Sequence, residues 1–228
     1  MDKVLSVTER YDAILKEVQG LSEGRATLVL ASKTVEKELL FALAERRSGL
    51  IYGENRVQEL LAKHFEHEGL TWQFIGRLQT NKVKYIVDKV SLIQSVDSLR
   101  LAEEIERRAA KINKVMDILV EVNVGGEESK GGVSEEDFLP LLEEIKGMPH
   151  LCLKGIMSVL PAAEEEVLIP LYKRLKVLFE SAKRMDSENF DLRYLSAGMS
   201  GDYQVALRNG SNMVRIGSAV FGARNYAK

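Results

Sequence analysis

A single cysteine among 228 residues leaves Cys152 without a partner inside the chain, which excludes an internal disulfide and favours a reducing compartment. There are only four prolines and no low-complexity stretch, so nothing in the composition marks a linker. No apolar run approaches the roughly 20 residues that a membrane-spanning helix needs. The opening stretch MDKVLSVTERYDAILKEV is amphipathic and charged, without the apolar run or cleavage site of a signal peptide. Charge of one sign is also lacking. The 32 basic residues are interspersed with 34 acidic ones, which gives no electrostatic footprint for DNA or RNA. Together these absences predict a cytoplasmic protein with neither nucleic acid nor membrane as partner.

What is present is a regular alternation. Short apolar runs recur as TLVLAS (27–32), LIYG (50–53), WQFIG (72–76), SLIQSV (91–96), MDILVEVNV (116–124), LKGIMSV (153–159), RYLSAG (193–198) and MVRIG (213–217). They are continuous rather than alternating, as expected of parallel strands covered on both faces. Helical patterns lie between them, among them RVQELLAKHFE, NKVKYIVDK and SEEDFLPLLEEIKG. Ser134 is placed to cap the last of these, with Asp137 at its third position, and Gly147 then Pro149 stop it. Eight strands alternating with helices predict a single α/β domain over 1–228, a (β/α)8 TIM-type barrel with an extra N-terminal helix. On pattern alone an open doubly wound sheet is the alternative. The stretches 125–132 and 161–166 read as loops.

In such barrels, chemistry sits at the C-terminal ends of the strands, and phosphate commonly binds after strands seven and eight. Lys33 ends the first strand. SAGMSGD (196–202) follows the seventh, and RIGSAVFG (215–222) closes the eighth. Ring closure makes strand eight the neighbour of strand one, so these features should share a pocket. Gly198, Gly201 and Gly217 allow backbone to approach an anion, while Ser200 and Ser218 add hydroxyl donors. A partly desolvated lysine amine attacks aldehydes. The parts suggest an aldehyde carrying a phosphate, of which pyridoxal 5'-phosphate (PLP) is one. Singly each feature is weak, since strand-end lysines are commonly solvated and glycine–serine turns are commonly only turns.

Other candidates are weaker. His64 and His67 share a helical face with no third metal ligand evident, and the reading is a solvated face with no metal. His150 has no evident partner, and Cys152 reads as a buried small hydrophobe. GGEESKGG lacks P-loop spacing, but its Lys130 follows strand five and could reach the barrel mouth as a second PLP contact.

The blocks LVLASKTV, YGENRVQELLAK, WQFIGRLQTNKVKYI, EVNVGGEESKGGV, LKGIMSV, LSAGMSGDYQVAL and MVRIGSAVFGAR resemble, in that order, the pyridoxal phosphate homeostasis proteins. These look like the barrel domain of bacterial alanine racemases without its second domain. The resemblance implies a fold-type III barrel holding PLP as a Schiff base on Lys33. It further implies that Arg215 faces the pyridine nitrogen and that Gly217, Ser218 and Ser200 bind the phosphate. Asn55, Met157 and Ser158 are implied near the cofactor. Two positions depart from the family: Arg77 stands where histidine is usual, and Ala197 where methionine is common. Arg77 alters the charge at the pocket mouth.

The function expected from this is a PLP-binding carrier in intracellular PLP homeostasis, with effects on amino-acid pools, PLP-dependent apo-enzymes as partners, a monomeric state and no robust catalytic activity. The first alternative is a small single-domain racemase, for which Tyr52 and Tyr203 are the conceivable acids opposite the lysine. The second is a Schiff-base aldolase or sugar-phosphate isomerase without PLP, which would need a carboxylate beside Lys33.

Overall fold

The computed structural model describes residues 3–127 and 130–222. The middle of the 125–132 loop and the end of the last motif block, residues 223 and 224, lie outside the described residues. A first helix, α1 (Lys3–Ser22), precedes β1 (Thr27–Ala31), α2 (Lys37–Ala44), β2 (Leu50–Glu54), α3 (Val57–Lys63) and β3 (Leu70–Phe74). A 3-10 turn (Thr80–Tyr85) leads to β4 (Leu92–Val96), α4 (Leu99–Lys111), β5 (Met116–Glu121) and α5 (Glu135–Ile145). Then come β6 (Leu151–Met157), α6 (Glu165–Lys183), β7 (Phe190–Ser196), α7 (Tyr203–Arg208), β8 (Met213–Ile216) and α8 (Ser218–Phe221).

Each strand pairs in parallel with the next, and β8 returns to β1 with Leu28 beside Val214 and Val29 beside Arg215. Closure rules out the open doubly wound sheet. The apolar runs are continuous because both faces are buried. Val29, Ala31, Ile75, Leu92, Leu119, Met157 and Met213 pack together in one cluster, which fills the barrel. Alternate residues such as Leu30, Tyr52, Phe74, Ile93, Val120, Ile156 and Ile216 join the larger cluster formed with the helices. Among the described residues no helix is long and apolar enough to cross a membrane.

Three secondary-structure expectations change. NKVKYIVDK forms the 3-10 turn in place of an α-helix. The helix expected through His67 stops at Lys63, because His64 adopts an extended ψ of 133°. His64 then packs on Trp72 and His67 pairs with Glu45 at 2.8 Å, so the two histidines share no helical face. The fifth strand ends at Glu121, before the expected Val124. Beyond it the chain folds back, with Val133 N–H donating to Glu121 O and Asn123 N–H to Val133 O. Ser134 does cap α5, its hydroxyl accepting from Asp137 N–H at 3.0 Å. His150 is not alone, since its ring and backbone N–H both meet Glu106. Cys152 is half-buried rather than buried, and burial raises its thiol pKa.

The N-terminal helix lies across the seam where the barrel closes. Asp12 pairs with Arg47 beyond α2, Glu17 accepts from Tyr203 and Gln204 at the start of α7, and Arg10 donates to Val220 O in α8 at 2.6 Å.

Candidate functional site

Lys33 stands two residues beyond the last residue of β1, in phase with the inward-facing Val29 and Ala31. It lines one cavity of about 380 Å³ together with Gly217 and Ser218. Strand closure therefore brings the lysine and the β8 turn together, as the sequence predicts. Ser200 joins them, because its Oγ accepts from Gly217 N–H at 3.2 Å and from Ala219 N–H at 3.3 Å. These two amides converge on Ser200 Oγ, a pair of donors for which an anion's oxygen would compete. Gly198 has a φ of +101°, and a Cβ there would lie 2.6 Å from that of Ala206. Gly217 keeps an ordinary φ, and its need is space, since a Cβ would stand 3.1 Å from Ala31 O. Gly201 has neither constraint, contrary to the sequence reading.

The backbone on both sides of Lys33 is held by a buried ionic cluster. Lys63 Nζ, on α3, donates to Glu54 Oε2 at 3.1 Å, to Glu59 Oε2 at 2.7 Å and to Ser32 O at 3.1 Å. Ser32 Oγ donates to Glu54 Oε2 at 2.9 Å, and Glu54 is fully buried. On the other side, Thr34 N–H donates to Glu59 Oε2 at 2.9 Å. Thr34 has a φ of +64°, a left-handed conformation costly for a β-branched residue. Burial raises the Glu59 carboxyl, but the hydrogen bonds from Lys63 and Thr34 outweigh it and hold the group below its usual range.

Arg215 is buried inside the barrel. Its guanidinium donates to Ser196 Oγ at 2.6 Å and to Ser158 O at 2.8 Å. The Ser196 hydroxyl donates onward to Gln94 Oε1, and the Gln94 amide to Gln73 Oε1. Desolvation brings Arg215 down to about 10 against the opposing charge of Glu121, so it keeps its proton at neutral pH. Ser158 also donates to Val122 O at 2.7 Å, so its visible role is to hold Arg215 in place. Met157 lies in the barrel-filling cluster.

Continuing the β1–β2 register, in which Ala31 pairs with Gly53, brings Asn55 level with Lys33. Asn55 Oδ1 is buried without a donor, although the residue lines the groove beside the Lys33 cavity and not that cavity itself. Tyr52 and Tyr203 are engaged elsewhere: one donates to Leu40 O behind the barrel wall and the other to Glu17 of α1. Lys130 pairs with Glu127 inside its own loop at 3.3 Å. Ala197 is buried in the outer core, away from the pocket, whereas Arg77 is exposed at the mouth.

Sequence reasoning missed Glu54, Glu59, Lys63 and the inward-facing polar set of Gln73, Gln94, Glu121 and Ser196. A signal existed for the second group, since each is a polar residue inside an apolar strand. Burial, reinforced by Asp97, raises the Glu121 carboxyl to about 7, with Arg215 and Arg77 opposing.

A family model described as alanine racemase, N-terminal domain, matches residues 13–225. The pyridoxal phosphate homeostasis protein of Aquifex aeolicus is 44% identical, the match covering 97% of this chain and all of that protein. The chain belongs to the pyridoxal phosphate homeostasis protein family. The Escherichia coli K12 homeostasis protein is 34% identical, with 92% of this chain and 90% of that one covered. Among solved structures, PipY of Synechococcus elongatus PCC7942, determined with PLP bound, superposes with a TM-score of 0.84 at 26% identity, covering 95% of this chain and all of that one. Alanine racemase from Clostridium difficile shares the fold at 14% identity and a TM-score of 0.75, with 61% of its chain covered. Members of this family are named for PLP homeostasis rather than for a reaction.

Two outcomes follow from the buried charges. Lys63→Met leaves Glu54 buried without its cation and should cost about 3–5 kcal/mol in denaturant unfolding, while adding Glu54→Gln should restore much of that loss. For Glu121, the raised carboxyl means that between about pH 4.5 and 7 the folded chain binds more protons than the unfolded one. Stability should therefore fall as pH rises through that window, by on the order of 2–3 kcal/mol at about 1.4 kcal/mol per pKa unit, and Glu121→Gln should flatten the curve.

Proposed function

We propose that this protein is an intracellular PLP carrier, a single barrel domain over 1–228 that holds the cofactor by its aldehyde on Lys33 and buffers its supply to PLP-dependent apo-enzymes. The observation that carries the reading is the one cavity shared by Lys33, Gly217 and Ser218. The residues present suit PLP in two further respects. The amides of Gly217 and Ala219 converge on one point at Ser200, as a phosphate requires. Asn55 Oδ1 is an acceptor in need of a donor, which a ring hydroxyl supplies. The PLP-bound relative PipY and the names of the homeostasis proteins support the same cofactor.

In this reading Lys33 forms the covalent link, and Ser200, Ser218 and the Gly217 amide grip the phosphate. Arg215 faces the ring nitrogen, with Met157 and Asn55 beside the ring and Ser158 fixing the arginine. PLP supplies an electron sink whose strength depends on a protonated ring nitrogen. Arg215 is fixed by Ser196 and Ser158 and retains its protons, so it offers that nitrogen a donor and disfavours a second proton there. Such a site favours holding over turnover. Neither Tyr52 nor Tyr203 is available as an opposite-face acid, which also weighs against the racemase alternative. The carrier acts in the cytoplasm as a monomer.

Lys33→Ala should abolish the visible absorbance of the purified protein and its borohydride-fixed PLP peptide while leaving the far-ultraviolet circular dichroism intact. Retained covalent PLP in this variant refutes the role of Lys33. Ser200→Ala should keep the absorbance but lose PLP faster on dialysis, with affinity down about tenfold or more for a phosphate hydrogen bond of about 1.5–3 kcal/mol. For the alternative reading, solvent deuterium should not enter the Cα of enantiopure amino acids in proportion to the protein added.

A further inference from the structure

Beside the Lys33 cavity, the loops after β2, β3 and β4 enclose a groove of about 790 Å³. Arg56, Arg77, Lys82 and Arg100 line it, with Asp97 the one carboxylate among the lining residues. Asp97 itself accepts from Ser98 Oγ. Elsewhere on the surface, cations commonly meet a carboxylate directly, as Arg107 and Arg108 meet Glu104 or Lys154 meets Asp191. Among the described residues, none of the four groove cations makes such an ion pair. Arg56 acts on Glu59, and Arg77 on Glu121, only through space.

Four cations against one carboxylate on one rim raise the local potential and attract an anion, in a chain whose net charge is −2. The N-terminus of α4, 13 residues long, opens into the same groove, and its N-cap residue Ser98 makes no side-chain capping bond. The volume falls within the range that holds nucleotide-sized ligands. The cationic stretch is short, since the adjoining surface carries Glu103 and the Glu104–Arg107 ion pair, which suits a compact anion better than a long one.

We propose that this groove is a second ligand site, built for a compact polyanion: a small molecule carrying a di- or triphosphate. The groove meets the proposed PLP site at Asn55, but its four cations lie on the loops after β2, β3 and β4, away from the nest at β7 and β8, and the proposal stands whether or not Lys33 holds PLP. A monophosphate would leave most of the four cations unmatched. Two or three linked phosphate groups can meet several at once, with the positive end of the α4 dipole adding to the attraction.

Calorimetric titration of the full-length protein as purified, with inorganic pyrophosphate and with ATP as probes, tests this. Both should bind wild-type protein, more weakly at raised salt, and Arg56→Gln/Arg100→Gln should weaken binding by at least about tenfold. Lys82→Gln should act in the same direction should the double variant fold poorly. Ser218→Ala, in the other cavity, should leave both titrations unchanged. Absence of binding to wild-type protein overturns the proposal. So does binding that survives the arginine substitutions or that follows Ser218, because the anion would then enter the Lys33 cavity.

Discussion

The geometry of the candidate site depends on a buried ion pair, Lys63 with Glu54. Lys33 lies two residues past the last residue of β1, outside the regular strand. Lys63 grips the carbonyl before it, and through Glu59 the amide after it. Removing two charges from water is costly, and the pair is offset only by complete hydrogen bonding. Glu54 meets that requirement by accepting from Lys63, Ser32 and the Asn55 amide. The same carboxylate thus reaches both strand ends that present Lys33 and Asn55. The strained Thr34 persists because this cluster over-determines it.

A second polar chain runs through the barrel from Arg215 by way of Ser196 and Gln94 to Gln73, and it explains why the interior is not purely aliphatic near its C-terminal end. Both terminal nitrogens of the guanidinium find an acceptor, which holds it in place without a paired carboxylate. Glu121 faces the same interior, and burial raises its carboxyl to about 7. Its charge and that of Arg215 act on each other, so the electrostatics of the mouth vary with pH even though the arginine does not.

The fold was legible because eight buried strands write themselves as continuous apolar runs, and the glycines that bound them mark the turns. Lys33 and the Ser200, Gly217 and Ser218 nest were legible too, since barrel closure alone predicts their meeting. What stayed hidden were pairings across sequence distance. Nothing local to Lys63 says that it reaches back to Ser32, and nothing in NKVKYIVDK separates a 3-10 turn from an α-helix. The histidines misled for a related reason. A helical repeat predicts a shared face only while the helix lasts, and this one ends at Lys63, just before His64. Gly201 misled in the opposite way, as a glycine in a glycine-rich turn that the backbone does not need.

The helix α1 bridges the seam between the first and last strands, touching the helices that follow β1, β7 and β8. The beginning and the end of the fold are therefore fastened directly to each other. Tension applied between the chain's extremities would load this seam in shear ahead of every other joint. A small molecule anchored to Lys33 on one side and to the Gly217 turn on the other would act as a rivet through it, so that occupancy and resistance to mechanical opening rise together.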